Sequence, residues 1–446
     1  MASVVVGLGK TGASCVRYLA KRGILVAATD TRRAPPGLAE LGRLAATLDV
    51  RLGGFDLSLL DGASQVLMSP GVSLEEPIAR QARARGIEVL GDVELFARAA
   101  RAPVIGITGT NGKSTVTSLV AHMAAAAGRR VLAGGNLGEP ALDLLEQPTP
   151  DLYVLELSSF QLETTSSLEL QGAVVLNITP DHMDRYASVE AYARAKARIF
   201  ARTATLVLNA DDPRVMALRD SAERSPTARI VTFSTVREDA DFTLLREGTS
   251  TYLACRGARV LDTARLKIAG EHNAANALAA LALGEAAGLP LPAMRTALEL
   301  FAGLKHRSAW VADVAGVRYI DDSKGTNVGA TLAAVAGLRG PLVMIAGGMG
   351  KGQDFAPLAA GFRGKVRHTV LIGQDAAALE SVLQGVCSTE RAATLEDAAH
   401  AAAAAARPGD TVLLSPACAS LDMFRDYGHR GEVFAAAVRA LAGRAP

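Results

Sequence analysis

The sequence predicts an α/β protein built of three doubly wound units, on three observations. Short, unbroken apolar runs recur along the chain, at 4–6, 25–28, 66–68, 104–107, 153–157, 174–178, 206–208, 342–345, 370–372 and 412–414. Runs of this length without alternation suit parallel strands covered on both faces. Between them lie Ala/Leu-rich stretches of helical character. Two of the runs feed straight into glycine loops, each followed by a helical stretch, the strand–loop–helix order of phosphate-binding α/β units.

Length and composition agree. At about 150 residues per domain, 446 residues correspond to three domains. With 47 basic and 45 acidic residues the formal charge is +2, which excludes a strongly basic nucleic-acid footprint and an acidic disordered tail. A hydrophobic fraction of 49% excludes intrinsic disorder. No apolar stretch of ~18 residues suggests a membrane span. Met1-Ala2-Ser3 leads directly into a strand and glycine loop, without the pattern of a signal peptide. Cys15, Cys255, Cys387 and Cys418 show no paired spacing, so reduced thiols in a cytoplasmic protein are expected.

Taken in order, the strand at 4–6 opens the loop Gly7-Leu8-Gly9-Lys10-Thr11-Gly12. A helix follows over 13–22, and a second strand at 25–28 leads to Asp30. This is the dinucleotide-type fingerprint. Its glycines let the backbone approach a diphosphate at a helix N-terminus, and Asp30 can accept from a sugar or base. Gly91-Asp92 closes the first unit, expected over 1–91. The strand at 104–107 then opens Gly106-Ile107-Thr108-Gly109-Thr110-Asn111-Gly112-Lys113-Ser114-Thr115, with a helix over 114–127 stopped by Gly128. The strict P-loop would carry glycine where Ile107 stands, so this is a variant in which Gly109 takes part of the bend. Its backbone N–H groups cradle phosphates, Lys113 adds a cation, and the Ser114 hydroxyl can ligate Mg²⁺.

The strand at 153–157 carries Glu156, placed to hold the metal that bridges two phosphates. After the run at 174–178 comes Asp181-His182-Met183-Asp184, where His182 is a candidate metal ligand or proton carrier. A helix follows over 189–200. By pattern alone its Lys196 is an ordinary surface lysine. Residues 239–267 are polar and β-favouring and should add antiparallel strands. Asn273 and Asn276, one turn apart at a helix start, either cap it or present amides to a base or phosphate. A second boundary falls near Gly303, giving units over 92–303 and 304–446. In the last unit the strands at 317–320, 342–345 and 412–414 end in Asp321-Asp322-Ser323-Lys324-Gly325-Thr326-Asn327, Gly347-Gly348-Met349-Gly350-Lys351-Gly352 and Ser415-Pro416-Ala417-Cys418-Ala419-Ser420. Their hydroxyls and two lysines suit a carboxylate-bearing ligand. The Ala-rich stretch 398–406, closed by Pro408-Gly409, reads as an ordinary helix.

These stretches, together with Glu156-Leu157-Ser158-Ser159-Phe160-Gln161, Gly270-Glu271-His272-Asn273, His306-Arg307 and Leu421-Asp422, resemble the Mur ligases of bacterial cell-wall synthesis along essentially the whole chain. The resemblance is strongest to the branch that adds D-glutamate to UDP-N-acetylmuramoyl-L-alanine through an acyl phosphate. It implies an N-terminal Rossmann-like UDP-binding domain, a central P-loop ATPase-like domain and a C-terminal Rossmann-like domain for the amino acid. Gly9, Lys10, Thr11, Asp30, Thr31 and Arg32 would contact uracil or diphosphate, and Asn136 the diphosphate or sugar. Gly109, Thr110, Asn111, Gly112, Lys113, Ser114 and Thr115 would cradle ATP, with Asn273, Arg307 and Asp322 as further ATP contacts. Lys324, Thr326, Lys351, Ser420 and Leu421 would hold D-glutamate. Ser114, Glu156 and His182 would bind Mg²⁺, and Lys196, if carbamylated, a second ion. Met349 departs from the aspartate of some relatives. A monomer closing about hinges near Asp92 and Gly303 is expected, with no nucleic-acid or membrane partner. Other readings stay open: an oxidoreductase built on the first loop, a nucleotide sensor without turnover, and a sister ligase adding another amino acid.

Overall fold

The computed structural model describes residues 2–136, 138–220, 227–268, 270–338 and 340–442. Their strands form three sheets, each parallel in its main body.

The first sheet holds β1 (Ala2–Val6), β2 (Val26–Asp30), β3 (Asp49–Leu52), β4 (Ala63–Met68) and β5 (Glu88–Leu90), in the order β3-β2-β1-β4-β5. All its pairings are parallel. The order reverses between β1 and β4, so a crevice is expected outside their carboxyl ends, where the first glycine loop sits.

The second sheet holds β6 (Val104–Thr108), β7 (Val131–Gly135), β8 (Leu152–Glu156), β9 (Gly172–Val175), β10 (Thr205–Asn209), β11 (Arg229–Ser234), β12 (Phe242–Glu247), β13 (Ser250–Cys255) and β14 (Ala258–Asp262). Its order is β14-β13-β12-β11-β10-β9-β6-β8-β7. Every residue of β6 and β8 is buried, as their unbroken apolar character demands. The β12–β13 and β13–β14 pairs are antiparallel, at the position expected from the polar, β-favouring segment.

The third sheet holds β15 (Ala309–Val314), β16 (Val317–Asp321), β17 (Leu342–Gly347), β18 (Val366–Ile372), β19 (Ser388–Arg391) and β20 (Thr411–Leu414), in the order β15-β16-β20-β17-β18-β19. Only the β15–β16 pair is antiparallel. The carboxyl ends of the adjacent strands β16, β20 and β17 carry the three loops singled out in the sequence.

Some expected bounds move. The second strand begins at Val26 rather than 25, and Leu25 is left exposed. The run at 174–178 stops being a strand after Val175, because Asn177 turns its backbone and side chain to the P-loop instead. The strands β3, β5, β7, β11, β15 and β19 are absent from the apolar runs. All but β11 are edge strands, and polar residues such as Ser-Thr-Glu-Arg in β19 suit an exposed edge; β11 lies inside its sheet, with Arg229 and Thr232 breaking its apolar character.

By compactness the chain divides into two units. One spans Met1–Ile178, Glu190–Asp262 and Asn276–Leu298; the other spans Thr179–Val189, Thr263–Ala275 and Glu299–Pro446. The first unit therefore contains two of the three sheets. They are tied by Ser14 Oγ and Arg17 Nη2, which donate to the two carboxylate oxygens of Asp143 at 2.6 and 2.8 Å. Lys10 Nζ donates to the Gly138 carbonyl at 2.7 Å, and Lys21 pairs with Glu146. Asp92, read as a hinge position, is buried here and accepts a bond from Gln161 Nε2 at 3.3 Å.

Candidate functional site

In the first unit the loop after β1 turns at Gly7, whose φ is +89°. The helix Lys10–Lys21 starts three residues later, and Gly12 lies so close to the turn that a Cβ there would sit 1.9 Å from the Gly7 carbonyl oxygen. No side chain caps this helix, so its first N–H groups face whatever occupies the loop. Ser69 Oγ, at the end of β4, donates to Gly7 O at 2.6 Å and fixes the turn from the neighbouring strand.

Asp30 is engaged by its own loop. It is 2% exposed and accepts from Leu8 N at 2.6 Å, and from Arg32 through its backbone N, Nε and Nη2 at 2.8, 2.9 and 2.7 Å. Burial alone would raise its pKa, but the bonds from Arg32 and Leu8 outweigh burial and hold it below the usual carboxylate value. Its carboxylate buttresses the glycine loop and orients Arg32, whose side chain remains about half exposed.

The second loop follows β6. Gly109 and Gly112 have φ of +146° and +85°, so the bend of this variant P-loop does pass through Gly109. A Cβ on Gly109 would meet Leu176 Cβ at 2.9 Å. The backbone is held by Asn177: Thr110 N donates to its carbonyl at 2.9 Å, and Asn111 N to its side-chain oxygen at 2.8 Å. Asn276, on the helix Glu271–Ala286, presses its Oδ1 to within 2.4 Å of where a Gly112 Cβ would stand. Of the two amides one turn apart, Asn276 is thus the one set against the P-loop. Asn273 is buried in the first turn of the same helix, in the second unit.

The helix Lys113–Ala126 leaves this loop with Ser114 and Thr115 buried. Lys113 Nζ folds back to donate to the carbonyls of Gly109 and Thr110 at 2.9 and 2.7 Å. Glu156, at the end of β8, lies beside Ile107 in register. One of its oxygens accepts from Ser114 Oγ at 2.6 Å and the other from Asn136 Nδ2 at 2.7 Å. A hydroxyl and a carboxylate side by side are hard oxygen donors that suit Mg²⁺ once phosphates and water complete the shell. Among the described residues no group of three or more His, Cys, Asp or Glu gathers to hold a metal unaided.

Lys196 overturns its reading as a surface lysine. It is 1% exposed, with Nζ donating to Gly109 O at 2.8 Å and lying 4.4 Å from the centre of the Tyr192 ring. The local charge pattern conceals this, because the helix Val189–Ala197 packs most of its last turn inward.

In the second unit His182 takes a left-handed backbone, φ +58°. Its N–H donates to Asp181 Oδ1 at 2.9 Å, while Asn327 Nδ2 donates to Asp181 Oδ2 at 3.2 Å. Asp322, after β16, is buried and accepts from Ser415 Oγ at 2.7 Å and Ser308 N at 3.0 Å. Burial pushes its carboxyl up to about 7, against the lowering effects of those bonds and of the Arg307 charge. Lys324 Nζ stands 3.7 Å from the centre of the Tyr427 ring. Lys351 is left-handed at φ +54°, Ser420 is buried and Leu421 is 64% exposed. Cys418 is fully buried in the same loop, and burial pushes its thiol up to about 12.

Four side chains that shape these sites escaped sequence reasoning: Ser69, Asn177, Tyr427 and Arg430. Arg430 has no exposed surface; its Nε and Nη2 donate to Ser323 Oγ and O at 3.0 and 2.8 Å, and Nη2 also to Cys418 O at 3.1 Å. An arginine two places after glycine on a helix carries no signal of burial. Asn177 was hidden inside an apolar run.

A P-loop with a carboxylate at the neighbouring strand end, beside a second phosphate-type glycine loop in one unit, defines a nucleotide-binding α/β enzyme. The chain belongs to the Mur ligase family: residues 1–91 match its MurD-like N-terminal domain, 107–284 the Mur ligase middle domain, and 306–418 the Mur ligase glutamate ligase domain. Two relatives named UDP-N-acetylmuramoylalanine--D-glutamate ligase are similar over nearly the full length. The one from Nitrosococcus oceani is 54% identical over 98% of this chain and 96% of its own. The one from Pseudomonas aeruginosa is 49% identical over 98% of each. Among solved structures, UDP-N-acetylmuramate-alanine ligase from Thermotoga maritima shares the fold with TM-score 0.62 and 19% identity, over 99% of each chain. A pseudomurein peptide ligase type C from Methanothermus fervidus does so with TM-score 0.62 and 18% identity, over 99% and 100%. Among the described residues no helix is long and apolar enough to cross a membrane.

Proposed function

We propose that this chain joins D-glutamate to UDP-N-acetylmuramoyl-L-alanine with ATP, as a monomeric cytoplasmic ligase of peptidoglycan precursor synthesis. The observation that carries this reading is the pairing of a P-loop with a second glycine loop in one compact unit. It is supported by identity near one half, along the whole chain, to relatives that bear the name of that ligase.

In this reading residues 1–91, 92–303 and 304–446 are three domains. The first receives UDP through Gly9, Lys10, Thr11, Asp30, Thr31 and Arg32, and Asn136 touches the diphosphate or sugar. ATP lies on 109–115, with Asn273, Arg307 and Asp322 as its other contacts. The terminal carboxylate oxygen of the L-alanyl substrate attacks the γ-phosphorus and the bond to the β-phosphate oxygen breaks, giving an acyl phosphate and ADP. The D-glutamate amine then attacks the acyl carbon, the amide forms, and phosphate leaves with the amine having lost a proton. Lys113 swings from its two loop carbonyls to the transferring phosphoryl group and offsets the repulsion between two anions. Lys324, Thr326, Lys351, Ser420 and Leu421 hold D-glutamate, the lysines facing its carboxylates.

Ser114, Glu156 and His182 would hold Mg²⁺, and Lys196, once carbamylated, a second ion; bound there, Mg²⁺ supplies positive charge to the phosphate oxygens. The carbamylation of Lys196 is carried by the resemblance to the family. Neutral amine and CO₂ give a carbamate and a proton, and the carbamate nitrogen keeps one N–H for Gly109 O.

An ADP-release assay tests the reading. Release should require both UDP-N-acetylmuramoyl-L-alanine and D-glutamate, with L-glutamate and other amino acids inert. Equal turnover with another amino acid would make it a sister ligase instead.

A further inference from the structure

We infer that Gln353 is a positioning residue that locks the three amino-acid-binding loops to one another. This rests on the assignment of those loops to D-glutamate. They leave the carboxyl ends of β16, β17 and β20, and bring Lys324 and Thr326, Lys351, and Ser420 and Leu421 respectively. Three separate loops must agree in position for one small, doubly charged ligand to meet all its partners at once.

The Gln353 side chain touches all three. Its Oε1 accepts from Val328 N at 2.9 Å, two residues beyond Thr326 at the start of the helix Val328–Gly337. Its Nε2 donates to the carbonyl of Gly350, beside Lys351, at 2.9 Å. The same Nε2 donates to the carbonyl of Ala417, three residues before Ser420, at 2.9 Å. An amide alone among uncharged side chains offers an acceptor and two donors at one end, so no other neutral residue of this length could make all three bonds.

The need for a clamp is visible in the backbone. Lys351 and Ala417, each adjacent to a residue of the clamp or part of it, hold left-handed φ values of +54° and +59°. Non-glycine residues keep such conformations when their surroundings fix them. Asp375 adds a second hold, accepting from Gly350 N at 2.7 Å, and Met349 and Ala419 exchange backbone bonds at 3.0 and 2.8 Å. Those bonds join the loops after β17 and β20. The loop after β16 is tied to the loop after β20 by Ala417 N, which donates to Gly325 O at 2.9 Å, and by Ser415 and Arg430. Gln353 adds the direct tie between the loop after β17 and the start of the helix beyond Thr326, where Asn327 caps Ala330 N at 2.8 Å.

The experiment compares Gln353→Met, which fills the same space without polar atoms, with Gln353→Glu. Glutamate keeps an acceptor for Val328 N but turns an oxygen toward two carbonyl oxygens. In both variants the KM for D-glutamate should rise about tenfold, as expected for loss of bonds worth a decade in affinity, while the KM for ATP stays at the wild-type value. A space-filling role would leave Gln353→Met unaffected. An unchanged D-glutamate KM in either variant, or a parallel rise in the ATP KM, overturns the inference. Hydrogen exchange separates it from the parent reading: amides of 324–328 and 348–353 should exchange faster in Gln353→Met even if the wild-type enzyme proved to prefer another amino acid. Unchanged exchange there also overturns it.

Discussion

Lys113 and Lys196 donate to one acceptor, the carbonyl oxygen of Gly109, at 2.9 and 2.8 Å. They arrive from different helices, Lys113 from the one that leaves the P-loop and Lys196 from Val189–Ala197. The bend of the loop is therefore held from two sides, and one cation can leave without the carbonyl losing its partner.

This makes Lys113→Ala a clean test of phosphoryl transfer. Gly109 O keeps Lys196, so the loop should keep its shape and the thermal midpoint should hardly move. Turnover should fall by roughly 10²-fold or more, as for removal of a preorganised group that stabilises developing charge. Binding of the UDP-linked substrate, followed by calorimetry, should survive. ADP release at the wild-type rate would show that Lys113 has no such role.

Gly12→Ala should do the reverse. Its Cβ would lie 1.9 Å from Gly7 O, a backbone atom that can move only if the first loop opens. The loop after β1 should lose its grip on the UDP moiety while nucleotide binding at 109–115 persists. Calorimetric titration with UDP and with a non-hydrolysable ATP analogue distinguishes the two; equal loss of both would mean that the whole unit had been disturbed.

Asp92 sets an expectation for pH. Burial raises its carboxyl from 3.8 to about 6, against the lowering effect of the Gln161 bond. Between these values the folded chain holds a proton that the unfolded chain has released, so this group costs stability as pH rises through the window. The penalty is absent below the lower value and complete above the upper one, at up to ~3 kcal/mol. Asp92→Asn should therefore melt higher than the wild type at about pH 8 and lose that advantage near pH 4. An advantage equal at both pH values would refute a protonation origin.

The architecture was legible wherever the chain is buried on both faces. Apolar runs found β6, β8, β17 and β20 because nothing polar can sit there, and the glycine loops showed where phosphates would approach. Edge strands such as β19 were not legible, since water relieves them of any pattern. In the site, Lys113 and Ser114 could be read from spacing because they open the helix after the glycine loop, and Glu156 because it ends an apolar strand. Lys196 could not, because its burial depends on Gly109, 87 residues earlier in the chain. Arg430 was hidden for the same reason, its partner Ser323 lying 107 residues away. Asp30 was seen, but its bonds to Leu8 and Arg32 were not, because they depend on how the glycine loop folds back on the second strand.

Cys418 sits among residues assigned to the amino acid, yet its thiol is sealed from water and held almost wholly neutral at physiological pH. Electrophilic inhibitors aimed at that cysteine would find no nucleophile. Oxidants would meet Cys255 and Cys387 first, both partly open to solvent and neither in the three loops. Oxidative damage would then scar the periphery of the protein before it reached the machinery.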